Sequence, residues 1–276
     1  MSKSGQETEK PNVQWLETFK TMSTFTSTLI IAFAGIFVTN QYNARQLEIA
    51  RNRELSGLIP QLGDSSENVR KFTAVSLSLY GKEAVPALVA TLNDSRPDVS
   101  FEAERGLTLI GDPAVPVLLK TYSESKTSSH LKAMCLITLG ELHANQAGSI
   151  AMDVIQNKSN NNELRGSAAK ALGLLKDKNT AERLVKTLLE CQDNNVILST
   201  EIMRALGQIK DVKITPELLG LVHNKNEDIR RSAVWMLAVI GDESILSTLE
   251  NIRESDPDSS VHFAARDAAS WFIRNH

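Results

Sequence analysis

The strongest constraint on this chain is that most of it repeats. Apolar helical segments end in SLSLYG, GLTLIGD, LITLGEL, KALGLLKD, RALGQIKD and LAVIGD. Aligning them places an aliphatic anchor at Val69, Val99, Leu131, Leu164, Leu198, Ile229 and Val261, with 30 to 34 residues between neighbours. Four residues after the anchors stand Thr73, Ala103, Cys135, Ala168, Ile202, Ala233 and Ala265. Eight residues after them stand Leu77, Leu107, Leu139, Leu172, Leu206, Leu237 and Ala269. A series at i, i+4 and i+8 lines one face of an α-helix, and the mostly small middle residue lets another helix come close.

Polar turns precede these helices: DSSEN, NDSRPD, NKSNNNE, NKNED and ESDPD. Their side-chain oxygens suit the free amides of a helix start, and their carboxylates suit its positive end. Pro97 and Pro257 are expected in first helical turns. A shorter first helix of each unit shows in LSGLIPQL, AVPALVATL, AVPVLLKTY, AERLVKTLL and TPELLGLV. Each is too short and one-sided to stand alone, so neighbouring units must bury it. The expected fold is all-α: an α-solenoid of about seven helical hairpins over residues 54–276, with no strand alternation to compete.

The AVPAL and AVPVL first helices, the basic residue after the anchor, the central alanine and the A-L-G-x-[IL]-x-D ending resemble HEAT repeats of the short kind found in phycobilisome lyases. The resemblance runs from about Leu55 to Asn275. It implies a ladder in which Arg70, Lys132, Arg165 and Arg230 meet acidic turn residues of neighbouring units, interrupted at Ser100, Ser199 and His262. It also leaves open an alternative function as a phycobilin-lyase-like tetrapyrrole chaperone or enzyme. HEAT-like deoxyhypusine hydroxylases use His-Glu pairs to hold iron, whereas none of His130, His143, His223, His262 and His276 is followed by glutamate. No metal site, cofactor or catalytic residue is expected, and neither a nucleophile elbow, a phosphate-binding glycine loop nor an HExxH motif occurs. Gly140, Gly173 and Gly207 recur at one repeat position, which points to close helix crossings.

Ahead of the repeats lies a different kind of segment. No charged residue occurs from Thr21 to Ala44, a stretch that as a helix spans about 36 Å against a hydrocarbon layer of about 30 Å. Its apolar centre is Leu29 to Val38, preceded by Ser23, Thr24, Thr26, Ser27 and Thr28, whose hydroxyls can bond back to the helix backbone. Trp15 and Tyr42 bracket it at a spacing suited to two membrane interfaces. Apolar residues around the whole axis argue against a core helix, and a long mixed-charge leader without a small-residue cleavage pattern argues against a signal peptide. The expectation is a leader at 1–20, a single membrane span at 21–44, a helical linker at 45–53 and a cytoplasmic repeat domain. The flanking positive charges are balanced, so orientation rests on the neutral leader and on Cys135 and Cys191. Both cysteines read as buried thiols suited to a reducing compartment, although a fold that brought them together could pair them. Thr24, Thr28, Ala32, Gly35 and Thr39 form a small-residue stripe on which two membrane helices could approach, giving a homodimer.

Thirty basic and thirty-three acidic residues give a net charge of -3, which disfavours nucleic acid as a partner. The remaining function is protein binding. Positions two and six after each anchor are expected to point away from the core, and Phe101, Arg105, Lys170, Arg204, Arg231 and Trp235 are the candidate contacts along that row, being the residue types that dominate interface energies. The leading expectation is therefore a non-enzymatic, membrane-anchored scaffold for a protein partner.

Overall fold

The computed structural model describes residues 13–191 and 196–275, and the chain divides between Gly57 and Leu58 into two compact units. The first unit is built on α1, Val13–Leu58, one unbroken helix of 46 residues. Every side chain from Thr21 to Ala44 is exposed, including Phe25, Ile30, Phe33 and Ile36. Four of the five expected hydroxyls bond back, Thr24 to the Lys20 carbonyl at 2.8 Å, Thr26 to Met22 at 2.9 Å, Ser27 to Ser23 at 2.7 Å and Thr28 to Thr24 at 2.8 Å, and Thr21 likewise donates to Glu17 at 2.7 Å.

The second unit is a helical array. Its elements in order are α2 (Glu67–Ser78), α3 (Val85–Thr91), α4 (Pro97–Ile110), α5 (Val115–Ser123), α6 (Ser129–Glu141), α7 (Gln146–Gln156) and α8 (Asn162–Leu175). They continue with α9 (Ala181–Cys191), α10 (Val196–Ile209), α11 (Thr215–Leu221), α12 (Glu227–Ile240), α13 (Ile245–Ser255) and α14 (Ser259–Asn275). The even-numbered helices carry the seven anchors and pack on one another in sequence, α2 on α4 through to α12 on α14. All seven residues four after the anchor are fully buried, as are six of the seven at eight after, Ala269 being half-buried. No strand occurs among the described residues.

Three expectations need correction. LSGLIPQL is not a separate helix: Leu55 to Leu58 end α1, and Ile59–Gly63 is a 3₁₀ turn, because Pro60 lacks the amide an α-helix would use. First helices also form at α7 and α13, whose beginnings lack the proline seen in AVPAL and AVPVL. Pro97 opens α4 as expected, but α14 starts at Ser259, so Pro257 lies in the turn before it.

The ends of the repeats explain their signature. The closing aspartates cap the next turn: Asp177 Oδ1 accepts from the Asn179 amide at 2.9 Å, Asp211 from Lys213 at 3.2 Å and Asp242 from Ser244 at 2.9 Å. One residue earlier, twelve after the anchor, the backbone is left-handed at Gly81, Gly111, His143, Lys176 and Lys210, with φ between 51° and 79°. Five residues before the anchor, Asp64, Asp94, Asn224 and Asp256 each accept an amide two residues on, at 2.7 to 2.9 Å.

Among the described residues, two rungs of the expected ladder form. Arg70 reaches Asp98 at 3.5 Å, and Arg230 holds Asp256 through two bonds of 2.8 and 2.9 Å with both side chains buried. Arg165 donates to the Ile155 carbonyl at 2.8 Å, and Lys132 lies over the Tyr122 ring at 5.7 Å. A second role recurs at this position. Arg70 donates to the carbonyl six residues back at 2.8 Å, Arg230 does the same at 2.9 Å, and the His262 ring meets the equivalent carbonyl of Asp256. His262 thus keeps the local bond that its departure from the basic pattern seemed to forfeit. Ser100 donates to Pro97 at 3.1 Å, while the buried Ser199 hydroxyl has no hydrogen-bond partner among the described residues.

Candidate protein-binding row

Successive even-numbered helices meet along a fixed seam. A Cβ on Gly140, nine after its anchor, would lie 2.9 Å from Ala171 Cα, seven after the next anchor. Gly173 stands likewise 2.9 Å from Ala205 Cα, and Gly207 3.2 Å from Met236 Sδ. At the other end of the same seam, Gly166 at position two faces Glu201 Cγ at 3.5 Å. Positions two, five and nine therefore look toward the following helix, and three and seven toward the preceding one. Position six lies between these two faces and forms the outward row.

That row differs from the expected pair of exposed positions. Val75, Arg105, Lys170, Arg204, Trp235 and Asp267 at position six are exposed, but Ile137 is 9% exposed. Position two is mixed: Phe101 and Phe263 are exposed, Arg231 is half-buried, and Ala133 and Gly166 are buried. Position two flanks a seam, so a close crossing covers it. In the third unit the α6–α8 crossing at Gly140 accompanies burial of both Ala133 and Ile137, which interrupts the row there.

The charges along the row are not equally available. Arg204 is held by Glu201 of its own helix through bonds of 2.6 and 2.8 Å, and Arg231 pairs with Asp228 while reaching Ser260 at 3.4 Å. Arg105 has no ion-pair partner among the described residues. Lys170 borders a shallow cleft between α8 and α10, shared with Gly166, Glu201 and Arg204. Burial pushes the Glu104 carboxyl up, Lys170 draws it partly back, and Glu141 adds to the rise. Three even-numbered helices thus share one electrostatic neighbourhood. Trp235 is 38% exposed, which leaves much of its ring for contact, and Arg266 stacks over Phe263 at 5.2 Å.

Elsewhere, Cys135 is buried, and burial pushes its thiol up to about 12; the Cys191 side chain lies outside the described residues. Among the described residues no three His, Cys, Asp or Glu side chains converge on a point that could hold a metal ion. The stripe Thr24, Thr28, Ala32, Gly35 and Thr39 is exposed along α1, and a Cβ on Gly35 would meet nothing within 4 Å. Among the described residues, α1 is the one helix long and apolar enough to cross a membrane, a test that core helices of soluble proteins also pass.

Many solved structures resemble this chain, among them the following three. Human deoxyhypusine hydroxylase in complex with glycerol is 19% identical over 80% of this chain and 85% of its own, with a TM-score of 0.41. The phycocyanin lyase complex from Nostoc is 19% identical over 75% of this chain and 73% of its own, with a TM-score of 0.37. An engineered protein is 18% identical over 79% of this chain and 68% of its own, with a TM-score of 0.45. At these values none of the three bears on function. No curated protein sequence matches. The sequence model of HEAT repeats matches residues 55–129 and 192–270, more than half of the chain, and the interval between them holds units stacked by the same seam. The chain belongs to the HEAT-repeat family.

Proposed function

We propose that this protein is a non-enzymatic scaffold anchored in a membrane by α1. In this reading α1 crosses the bilayer once, the array lies on the cytoplasmic side, and a protein partner binds along the row that includes Phe101, Arg105, Lys170, Arg204, Arg231 and Trp235. HEAT repeats generally mediate contacts between proteins. The observation that carries the reading is the run of exposed cationic and aromatic side chains at position six, where a rigid helical face presents residue types that anchor interfaces. Arg105 and Lys170 are the charges freest to meet a partner's carboxylates, whereas Arg204 and Arg231 would have to exchange carboxylates of their own helices.

The anchor has separate support. The exposed apolar centre of α1 and its internally satisfied hydroxyls suit a medium that offers no hydrogen bonds. The stripe through Gly35 offers a second membrane helix a close approach and a route to a homodimer.

Proximity labelling from the full chain tests both parts. Arg204→Ala with Trp235→Ala is expected to lower labelling of the main neighbours at least tenfold while the chain stays in the membrane fraction. Unchanged labelling would remove the row from the interface, and recovery of the full chain in a detergent-free soluble fraction would remove the anchor.

A further inference from the structure

The seam is left open at the N-terminal end of the array. Positions three and seven meet the preceding even-numbered helix at Ala171, Ala205, Met236 and Glu201. On α2 and the residue that caps its end, the same face carries Phe72, Ser76 and Leu79, with Val75 beside them, and no even-numbered helix of the array precedes it. Phe72 is 70% exposed, Leu79 83% and Val75 41%. Terminal units of stacked repeats normally present a polar outer face. The opposite end is more mixed: Arg266 stacks over Phe263, and Asp267 and Ser270 stand alongside, while Phe263 and Ile273 stay exposed.

We propose that this open face of α2 pairs with the same face of a second copy of the chain, in an antiparallel helix pair about a two-fold axis. The spacing of Phe72, Val75, Ser76 and Leu79 reads the same from either end. An antiparallel pairing therefore sets Phe72 against Leu79 of the second copy and Val75 against Ser76, twice over, as a two-fold interface requires. Charge agrees with it. Glu67 lies in the first turn of α2 and Lys82 just beyond its end, so each acid comes within about one turn of the other copy's base, and the two helix dipoles oppose. Glu67 now pairs with Lys71 on an exposed surface, which leaves it free to share. A bilayer surface would favour a basic rim, whereas this rim mixes Glu67, Lys71, Lys82 and Glu83. One helix pair buries less than the roughly 800 Å² per partner of standard complexes, so the association is concentration-dependent.

The proposal holds whether or not α1 is inserted in lipid. Its test uses the full chain with Cys191→Ser, since Cys135 is buried, and a single new cysteine introduced by Val75→Cys, oxidised with copper phenanthroline in micelles and in membranes. Val75→Cys is expected to give a disulfide-linked dimer at least tenfold more abundant than Ile273→Cys, an exposed control in the last helix. Adding Phe72→Lys and Leu79→Lys is expected to cut that yield at least tenfold with circular dichroism unchanged, because both sites are exposed. Equal cross-linking at the two sites, or cross-linking that survives the two lysines, overturns the proposal. So does a dimer abolished by Gly35→Leu but not by the lysines, which would assign pairing to α1. A monomeric Val75→Cys variant whose attached fluorophore enters liposomes would make lipid the occupant and overturn it equally.

Discussion

His143, Lys176 and Lys210 hold left-handed backbone where Gly81 and Gly111 do so without a Cβ penalty. An L-residue with a side chain loses about 1–2 kcal/mol there, and glycine recovers part of it against its greater freedom when unfolded. Lys176→Gly is therefore expected to stabilise by about 0.5–1 kcal/mol, read as a higher denaturant midpoint at unchanged slope; a lower midpoint would contradict it. Gly241 occupies the same repeat position with φ of −70°, so its reason for being glycine differs: a Cβ would lie 2.7 Å from the Leu237 carbonyl. The recurring turn is invisible in the letters because glycine, histidine and lysine share no property except tolerance of the site. Asp112, Asp177, Asp211 and Asp242 are legible as an ending, yet their capping of the next turn shows only in the bonds that three of them make.

At the scale of helices, periodicity locates all seven even-numbered elements, since a buried face at i, i+4 and i+8 is what a stacked helix must have. It misjudges what lies beside that face. Whether position two is exposed depends on how closely the next helix approaches, which is a property of two elements together. The glycines set that approach. Gly173→Ala is expected to destabilise by about 1–3 kcal/mol, because the new methyl would stand 2.9 Å from Ala205 Cα. Gly220→Ala in α11 meets nothing within 4 Å and is expected to be neutral or stabilising. Thermal denaturation of the two variants side by side checks the contrast, and equal losses would contradict the seam. The odd-numbered helices are less legible, and α7 and α13 least, because short one-sided helices owe their stability to neighbours that single-sequence patterns do not display.

In the molecule as a whole, an array of nearest-neighbour contacts loses its ends first. The last unit is tied to the sixth by the buried pair of Arg230 and Asp256. Burial pushes the Asp256 carboxyl up, but the bond from Arg230, the Asp258 amide and the charge of Arg230 hold it below its ordinary value of 3.8. Its stabilisation is therefore complete above that ordinary value and is lost as pH falls through the lower value of the folded state. Asp256→Ala leaves Arg230 buried without its acid and is expected to cost about 3–5 kcal/mol at neutral pH. Hydrogen exchange at the amides of α14 checks this: the variant should exchange there first, and protection equal to the unaltered chain would contradict it. The outward row at position six is partly legible for the same reason as the helices, since the exposure of Arg105, Lys170, Arg204 and Trp235 follows from phase alone. Its interruption at Ile137 and the self-pairing of Arg204 and Arg231 do not.

At the start of α1 the hydroxyls of Thr21, Thr24, Thr26 and Thr28 are turned onto carbonyls one turn back, so these threonines show their surroundings a methyl group instead. Counted by spelling, this rod begins half-polar; counted by the groups it turns outward, it is oily well before Leu29.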